Sequence, residues 1–180
     1  MPLPALPTAA LLAASLAVNS LSLLSAAPAH AATNLVNCVG NSTTTYSPGL
    51  TFKPTYQSYA NNTVYTSCTS SGNAVVSGTS SKSYQGTSAS SCLSPLLVSP
   101  GSEVIHWNTG DTSTFTFNAT VTQVGAETVI TRIGTITSGM FAGATATHVT
   151  ANEPLNTLQC LTPPGITSRK AIDELAITEL

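Results

Sequence analysis

Apolar and polar residues alternate between Thr112 and Val124. Phe115, Phe117, Ala119 and Val121 fall on one phase, and Thr114, Thr116, Asn118, Thr120 and Thr122 on the other. A period of two sends successive side chains to opposite faces of an extended strand, so this stretch predicts a half-buried β-strand. If Gly125 and Ala126 form a two-residue hairpin turn, Val124 faces Glu127, and the register of the next strand is fixed as far as Ser138. That register pairs Phe115 with Ile136 and Val121 with Ile130, and lays the Phe117 ring over Gly134. On the other face it pairs Thr114 with Thr137, Thr116 with Thr135 and Thr120 with Thr131. Arg132 is the misfit. It falls opposite Ala119 in the apolar phase, so it must sit near a sheet end, snorkel or contradict the register.

The hairpin extends into a meander from Glu103 to Thr150. Glu103 to Trp107 predicts a short strand, and Asn108-Thr109-Gly110-Asp111 reverses the chain into Thr112. Ser138 to Gly143 predicts another turn, and Ala144 to Thr150 a fourth strand. Upstream, Thr33 to Gly40 reads as the first strand, with a turn at Pro48-Gly49. Thr55 to Cys68 carries Tyr56, Tyr59, Val64 and Tyr65 around a turn at Asn61-Asn62. Cys68 to Cys92 is close to low complexity, but Val75, Val76 and Tyr84 predict two edge strands in it. Leu93 to Gly101 connects the halves of the domain. Asn156 to Leu161 predicts a strand and Pro163-Pro164-Gly165 a turn, while Ser168 to Leu180 reads either as a last strand or as a short helix over Ala171 to Leu175. These elements predict an all-β fold, an antiparallel β-sandwich or partly closed barrel built on the meander, with about eight to ten strands.

Composition adds a compartment. Residues 1–31 contain an Ala, Leu and Ser stretch from Ala9 to Ala27, followed by Ala29-His30-Ala31, which has the A-x-A form of a cleavage site. They read as a secretory signal peptide, with an uncleaved membrane anchor as the alternative, and residues 32–180 as a single domain. The expected location is secreted and extracellular, off the membrane once the leader is removed. The four cysteines, Cys38, Cys68, Cys92 and Cys160, include no C-x-x-C pair. That spacing argues against zinc, and an even count behind a leader argues for two disulfides. Of the possible connectivities we favour Cys68 with Cys92 and Cys38 with Cys160, the first stapling the Ser/Thr-rich segment and the second tying the opening strand to the end of the domain.

Charged residues make up only 7% of the chain and the formal net charge is −2. Lys53, Lys82, Arg132, Arg169 and Lys170 are scattered and form no basic stripe, so no nucleic-acid partner is expected.

Four phrases carry a resemblance: Tyr46-Ser47-Pro48-Gly49-Leu50-Thr51, His106-Trp107-Asn108-Thr109-Gly110 before a Thr/Phe strand, Gly134 to Gly143 (GTITSGMFAG), and Cys160 to Ser168 (CLTPPGITS). Over Asn34 to Ser168 the chain resembles a group of small secreted actinobacterial β-rich proteins of unknown function, which have signal peptides and a few cysteines. The resemblance implies a compact extracellular β-domain and carries no catalytic residue with it. After Ser168 the chain departs from the pattern, a Gly-containing turn and a Thr-rich final strand, which leaves the last strand open.

Candidate chemistry is sparse. No G-x-S-x-G elbow occurs, and His106 and His148 are the only histidines after the leader. His106 and Asp111 flank one turn and with a serine form the pieces of a triad, although a strand histidine and a turn aspartate need no function. Glu103, Asp111, Glu127 and Glu153 supply carboxylates for a glycosidase pair, but all fall at predicted strand ends or turns, where carboxylates are ordinarily solvated. Trp107, the only tryptophan, with His106 beside it, is the candidate ligand-binding pair; the plain alternative for Trp107 is a core aromatic. The threonine face of the hairpin suggests an ice-binding array, which sheet twist works against. The reading favoured is a non-catalytic structural or binding module with a cell-wall, glycan or protein partner, and without cofactor or metal. The alternative is a small secreted hydrolase using His106 or His148 with a carboxylate.

Overall fold

A computed structural model describes residues 33–72, 74–86, 89–94, 100–124 and 127–179. The strands are β1 (Thr33–Leu50), β2 (Ser58–Ser70), β3 (Gly78–Gln85), β4 (Gly101–Trp107), β5 (Thr112–Val124), β6 (Glu127–Gly139), β7 (Thr145–Asn152) and β8 (Ile166–Glu179). Each pairs antiparallel with its neighbours in sequence, and β8 returns to β1, so the eight strands close into an up-and-down barrel. Closure removes the exposed edges that an open sheet of this length would present. The expectation of a sandwich or partly closed barrel thus resolves to a closed barrel. The predicted leader, residues 1–31, lies outside the described residues.

The predicted hairpin register is observed. Val124 faces Glu127, Phe117 faces Gly134, Phe115 faces Ile136, Val121 faces Ile130, Thr116 faces Thr135 and Thr120 faces Thr131. The turn at Gly125-Ala126 lies outside the described residues. One pair differs: a register shift between Thr114 and Phe115 moves Thr114 from Thr137 to Ser138, whose hydroxyl donates to Thr114 Oγ1 at 2.9 Å. Phe115 and Phe117 point into the barrel, and Thr116, Asn118 and Thr120 outward.

Gly134 lets the two backbones meet. A Cβ there would lie 1.9 Å from the carbonyl oxygen of Thr116 and 2.7 Å from Cα of Phe117. Gly134→Ala is therefore expected to lose about 1–3 kcal/mol by forcing β5 and β6 apart. Urea unfolding checks this, and an unchanged midpoint would contradict the described approach.

Several local expectations change. Asn61 and Asn62 are not a turn; they lie inside the unbroken strand β2, paired with Thr44 and Thr43 on one side and Lys82 and Ser81 on the other. Pro48-Gly49 falls within an irregularity of β1, between Thr45, opposite Ser168, and Leu50, opposite Ile166. Among the described residues of the Cys68 to Cys92 segment one new strand forms, β3, in place of two. Asn156 to Leu161 holds a single 3-10 turn, Gln159–Leu161, instead of a strand. The open choice at the end of the chain resolves to strand: Leu175 and Ile177 are both buried inside β8.

The disulfides are Cys38–Cys68 and Cys92–Cys160, which corrects the favoured pairing. Because β2 is one strand hydrogen-bonded to β1, Cys38 and Cys68 sit directly opposite each other, with Cα atoms 4.0 Å apart. Cys92 is then left for Cys160, joining two of the segments that cover one end of the barrel.

Side chains fill the interior in layers. Toward one end Val36, Ile105, Trp107, Phe115, Ile136, Leu175 and Ile177 form the larger apolar cluster. Toward the other, Tyr46, Leu50, Tyr59, Ile166 and the Cys92–Cys160 bridge form a smaller one. The inward positions of β8 run through both, from Ile166 to Leu175 and Ile177, with Arg169 and Asp173 between.

Candidate functional site: the charged band inside the barrel

Between the apolar layers lies a polar band. The chain has five basic and seven acidic residues. Of these, Glu103, Arg132, Arg169 and Asp173 are buried, and the Lys82 side chain is only 21% exposed. Each occupies the inward phase of its strand, where alternation alone would place an apolar residue. Arg132, the misfit of the sequence reading, belongs here: it keeps its place opposite Ala119, and its head reaches the band instead of snorkelling to water.

His148 is the centre. It stands on β7 between Ala146 and Thr150, all three buried. Its Nδ1 lies 3.1 Å from Glu103 Oε1 and its Nε2 lies 2.9 Å from Asp173 Oδ1. A carboxylate oxygen only accepts hydrogen bonds, so two carboxylates on opposite sides of the ring call for a proton on both nitrogens. Thr150 donates to Asp173 Oδ1 at 2.8 Å and accepts from Arg132 at 2.9 Å. Lys82 Nζ lies 3.7 Å from Glu103 Oε2 and stacks over the Phe117 ring. Tyr65 closes the band, its ring edge-on to the imidazole.

Burial and charge oppose each other here, and the charges win at the centre. Burial pushes the Glu103 carboxyl up, but the hydrogen bond and charge of His148, helped by Lys82 and Arg132, hold it down at about 2. Burial likewise pushes Asp173 up, and His148, Ser42 and Thr150 bring it below its ordinary value. For His148 burial pulls the pKa down, while hydrogen bonds to Asp173 and Glu103 reverse that and leave it raised. Lys82 is lowered, chiefly by burial. Tyr65 is raised, by burial first and then by the Glu103 and Asp173 charges.

A pH dependence of stability follows. Glu103 and Asp173 both have folded pKa values below their unfolded ones; the contribution of Glu103 is present above about pH 4.5 and lost as pH falls toward about 2, and Asp173 adds a loss in the same direction. The folded pKa of His148 is raised, so its contribution is complete below about pH 6.5 and lost as pH rises through that folded value. Urea midpoints should therefore peak between about pH 4.5 and 6.5, with Glu103 alone accounting for about 3 kcal/mol of the acid-side loss. Flat midpoints from pH 3 to pH 8 would contradict a charged centre.

The sequence-derived candidates are placed differently. Trp107 is buried in the larger cluster, its Nε1 donating to Ser113 Oγ at 2.8 Å and its ring edge-on to Phe141. His106 points outward, and Asp111 across the turn is also exposed. Glu127 and Glu153 are solvated as expected, but Glu103 is 5% exposed and lies within β4, against the expectation of a solvated strand end. For Lys82, Asp173 and Thr150 the sequence reading offers no role in a site. Their signal was a polar residue in the inward phase, as at Ser168 to Ile177, where Arg169, Ala171, Asp173, Leu175 and Ile177 are the buried positions.

The described grooves lie on the outside or at the ends of the barrel, and none is lined by His148, Glu103 or Asp173. One of about 560 Å³ crosses β2, β1, β8 and β7, with Val39 and Val149 flanked by Asn37, Thr69, Thr147 and Glu174. Among the described residues no group of His, Cys, Asp and Glu is disposed to hold a metal ion, and no helix is long and apolar enough to cross a membrane. The chain matches no family model, no curated protein and no solved structure.

Proposed function

We propose that the protein acts outside the cell as a non-catalytic barrel module, with its charged interior serving the fold and its outer surface meeting a cell-wall, glycan or protein partner. The observation that carries this reading is the enclosure of its only His–carboxylate constellation among the described residues. His148 is 1% exposed and both of its nitrogens are engaged by carboxylates, which leaves neither one for a substrate proton. The disulfides fit an oxidising compartment, and the leader-like stretch before Ala32 supplies a route to it.

The outward residues support a water-facing role. Asn37 and Asn41 on β1 and Thr116, Asn118 and Thr120 on β5 are exposed, where a barrel facing lipid would carry an apolar band. Solubility at such low charge then rests on hydroxyl and amide groups, which also hydrogen-bond to glycan hydroxyls and peptide backbones. With Trp107 buried, the groove holding Val39 and Val149 takes its place as the candidate contact surface.

The test is a pair of assays on the purified protein. Ester, peptide and glycan substrates should show no turnover, and insoluble cell-wall polysaccharide should retain the protein in sedimentation. Hydrolysis that stays with the protein through repurification to constant specific activity would overturn the non-catalytic reading in favour of the hydrolase.

A further inference from the structure

We propose that the barrel interior binds a small monovalent anion, chloride being the simplest, between Arg169 and Thr44. Charge inside the barrel does not balance. Of the seven acidic residues only Glu103 and Asp173 turn inward, and they meet four cations there: Lys82, Arg132, Arg169 and the doubly protonated His148. Both carboxylates are engaged by His148, and Glu103 also by Lys82. Arg169 has no share in that network. It is 5% exposed, and none of the described ion pairs includes it. Its Nη2 donates to the Glu153 carbonyl at 2.6 Å, while Nε and Nη1 are buried with no hydrogen-bond partner. A charge taken out of water is costly without a counter-charge, and each donor left unmade adds to that cost. Counting Lys82 as a neutral amine, the direction in which burial moves it, still leaves one positive charge in excess.

A second donor stands beside the guanidinium. Thr44 faces Arg169 across the β1–β8 ladder, which sets their Cβ atoms about 5 Å apart on the inner face of the sheet. Thr44 Oγ1 accepts from Asn61 Nδ2 at 2.9 Å, and no described bond uses its own proton. An anion lying against Thr44 takes up that proton together with the unpartnered N–H groups of Arg169. The next inward residue on β8 is Ala171, whose short side chain does not fill the space. Access and charge limit the guest. A groove of about 470 Å³ between β7, β8 and β1 includes Glu153, whose carbonyl the guanidinium reaches, and extends to the buried Ser42, Asn152 and Ala171. Its lining carries Glu127 and Glu153 against one cation, Lys170, which works against phosphate or sulfate. Desolvation cost rises with the square of the charge, so a monovalent ion is what an enclosed site with one excess charge can hold.

The experiment compares urea midpoints of the folded, disulfide-bonded protein in sodium chloride and in sodium gluconate at one ionic strength, gluconate being too large for the site. The wild-type midpoint should rise with chloride relative to gluconate and keep rising logarithmically once chloride exceeds its dissociation constant, as binding to the folded state alone requires. Thr44→Val should raise that dissociation constant about tenfold by removing one hydrogen bond to a charged partner. Arg169→Gln should make the two salts equivalent. A wild-type crystal soaked in sodium bromide tests the site without any substitution: the anomalous peak should lie against the Arg169 guanidinium and Thr44 Oγ1. Wild-type midpoints that coincide in the two salts, or bromide found only on the outer surface, overturn the proposal whether or not the variants fold. An Arg169→Gln protein that keeps the full chloride response overturns it as well. The outcome is independent of the assays for turnover and polysaccharide binding.

Discussion

His148→Asn should cost about 3–5 kcal/mol of unfolding free energy, the usual penalty for removing one partner from a buried charge cluster. In the native protein the imidazolium stands between Glu103 Oε1 and Asp173 Oδ1. Without it both carboxylates stay buried and lose their shared counter-charge. Arg132 does not take its place, because its described hydrogen bond in the band goes to Thr150 Oγ1 and to neither carboxylate. Asn offers one amide donor group but no charge, so Glu103 and Asp173 should take up protons at higher pH than before. The variant should therefore be most impaired at neutral pH and recover partly under mild acid, the reverse of the wild-type acid loss. Urea unfolding followed by Trp107 fluorescence reads this directly, since Trp107 is buried in the larger cluster and will redden on exposure. Adding Glu103→Gln should return part of the loss by removing one of the stranded charges. A His148→Asn protein as stable as the wild type would mean that the band is not the charged network described.

How far the sequence revealed this arrangement depended on which physical rule governed each residue. The β5–β6 hairpin was legible because its alternation, its turn and Gly134 all imposed the same register, and the Phe117–Gly134 and Thr116–Thr135 pairs are observed. Barrel closure was not legible, because it depends on β8 returning to β1, a contact between Thr33 and Glu179 that no local pattern encodes. The disulfides failed for a traceable reason: a turn placed at Asn61-Asn62 splits β2 and hides the facing of Cys38 and Cys68. The site was half visible. Arg132 visibly breaks the apolar phase, whereas Glu103 falls where a solvated strand end is expected and Asp173 lies in a segment that also fits a helix. Charged residues in an inward phase on β4, β6 and β8 become a signal only when the strands are known to share one interior. A barrel whose cross-section brings those strands to a common centre can satisfy them together, which no single strand can do.

The largest covalent contribution should come from the bridge that the sequence reading mispaired. Cys92→Ala with Cys160→Ala opens a link spanning a sequence separation of 68 residues, against 30 for Cys38–Cys68. In the loop-entropy model the longer link is worth about 4 kcal/mol and the shorter one somewhat less. The structure widens that difference. Cys38 and Cys68 sit on strands already joined by the long β1–β2 ladder, so the native pairing survives without the sulfur link. Cys92 and Cys160 instead join two loop segments, held otherwise by contacts such as Cys92 N–H to the Thr51 carbonyl and Phe52 N–H to the Cys160 carbonyl. Cutting this bridge should loosen the cap around Leu50, Tyr59 and Ile166 before the barrel itself unfolds. The expected result is a lower urea midpoint, with amide exchange accelerated first in residues 51–57 and 155–165 while β5 to β7 keep their protection. If exchange instead rises evenly through every strand, the cap and barrel form one cooperative unit, and the bridge acts on the unfolded chain alone.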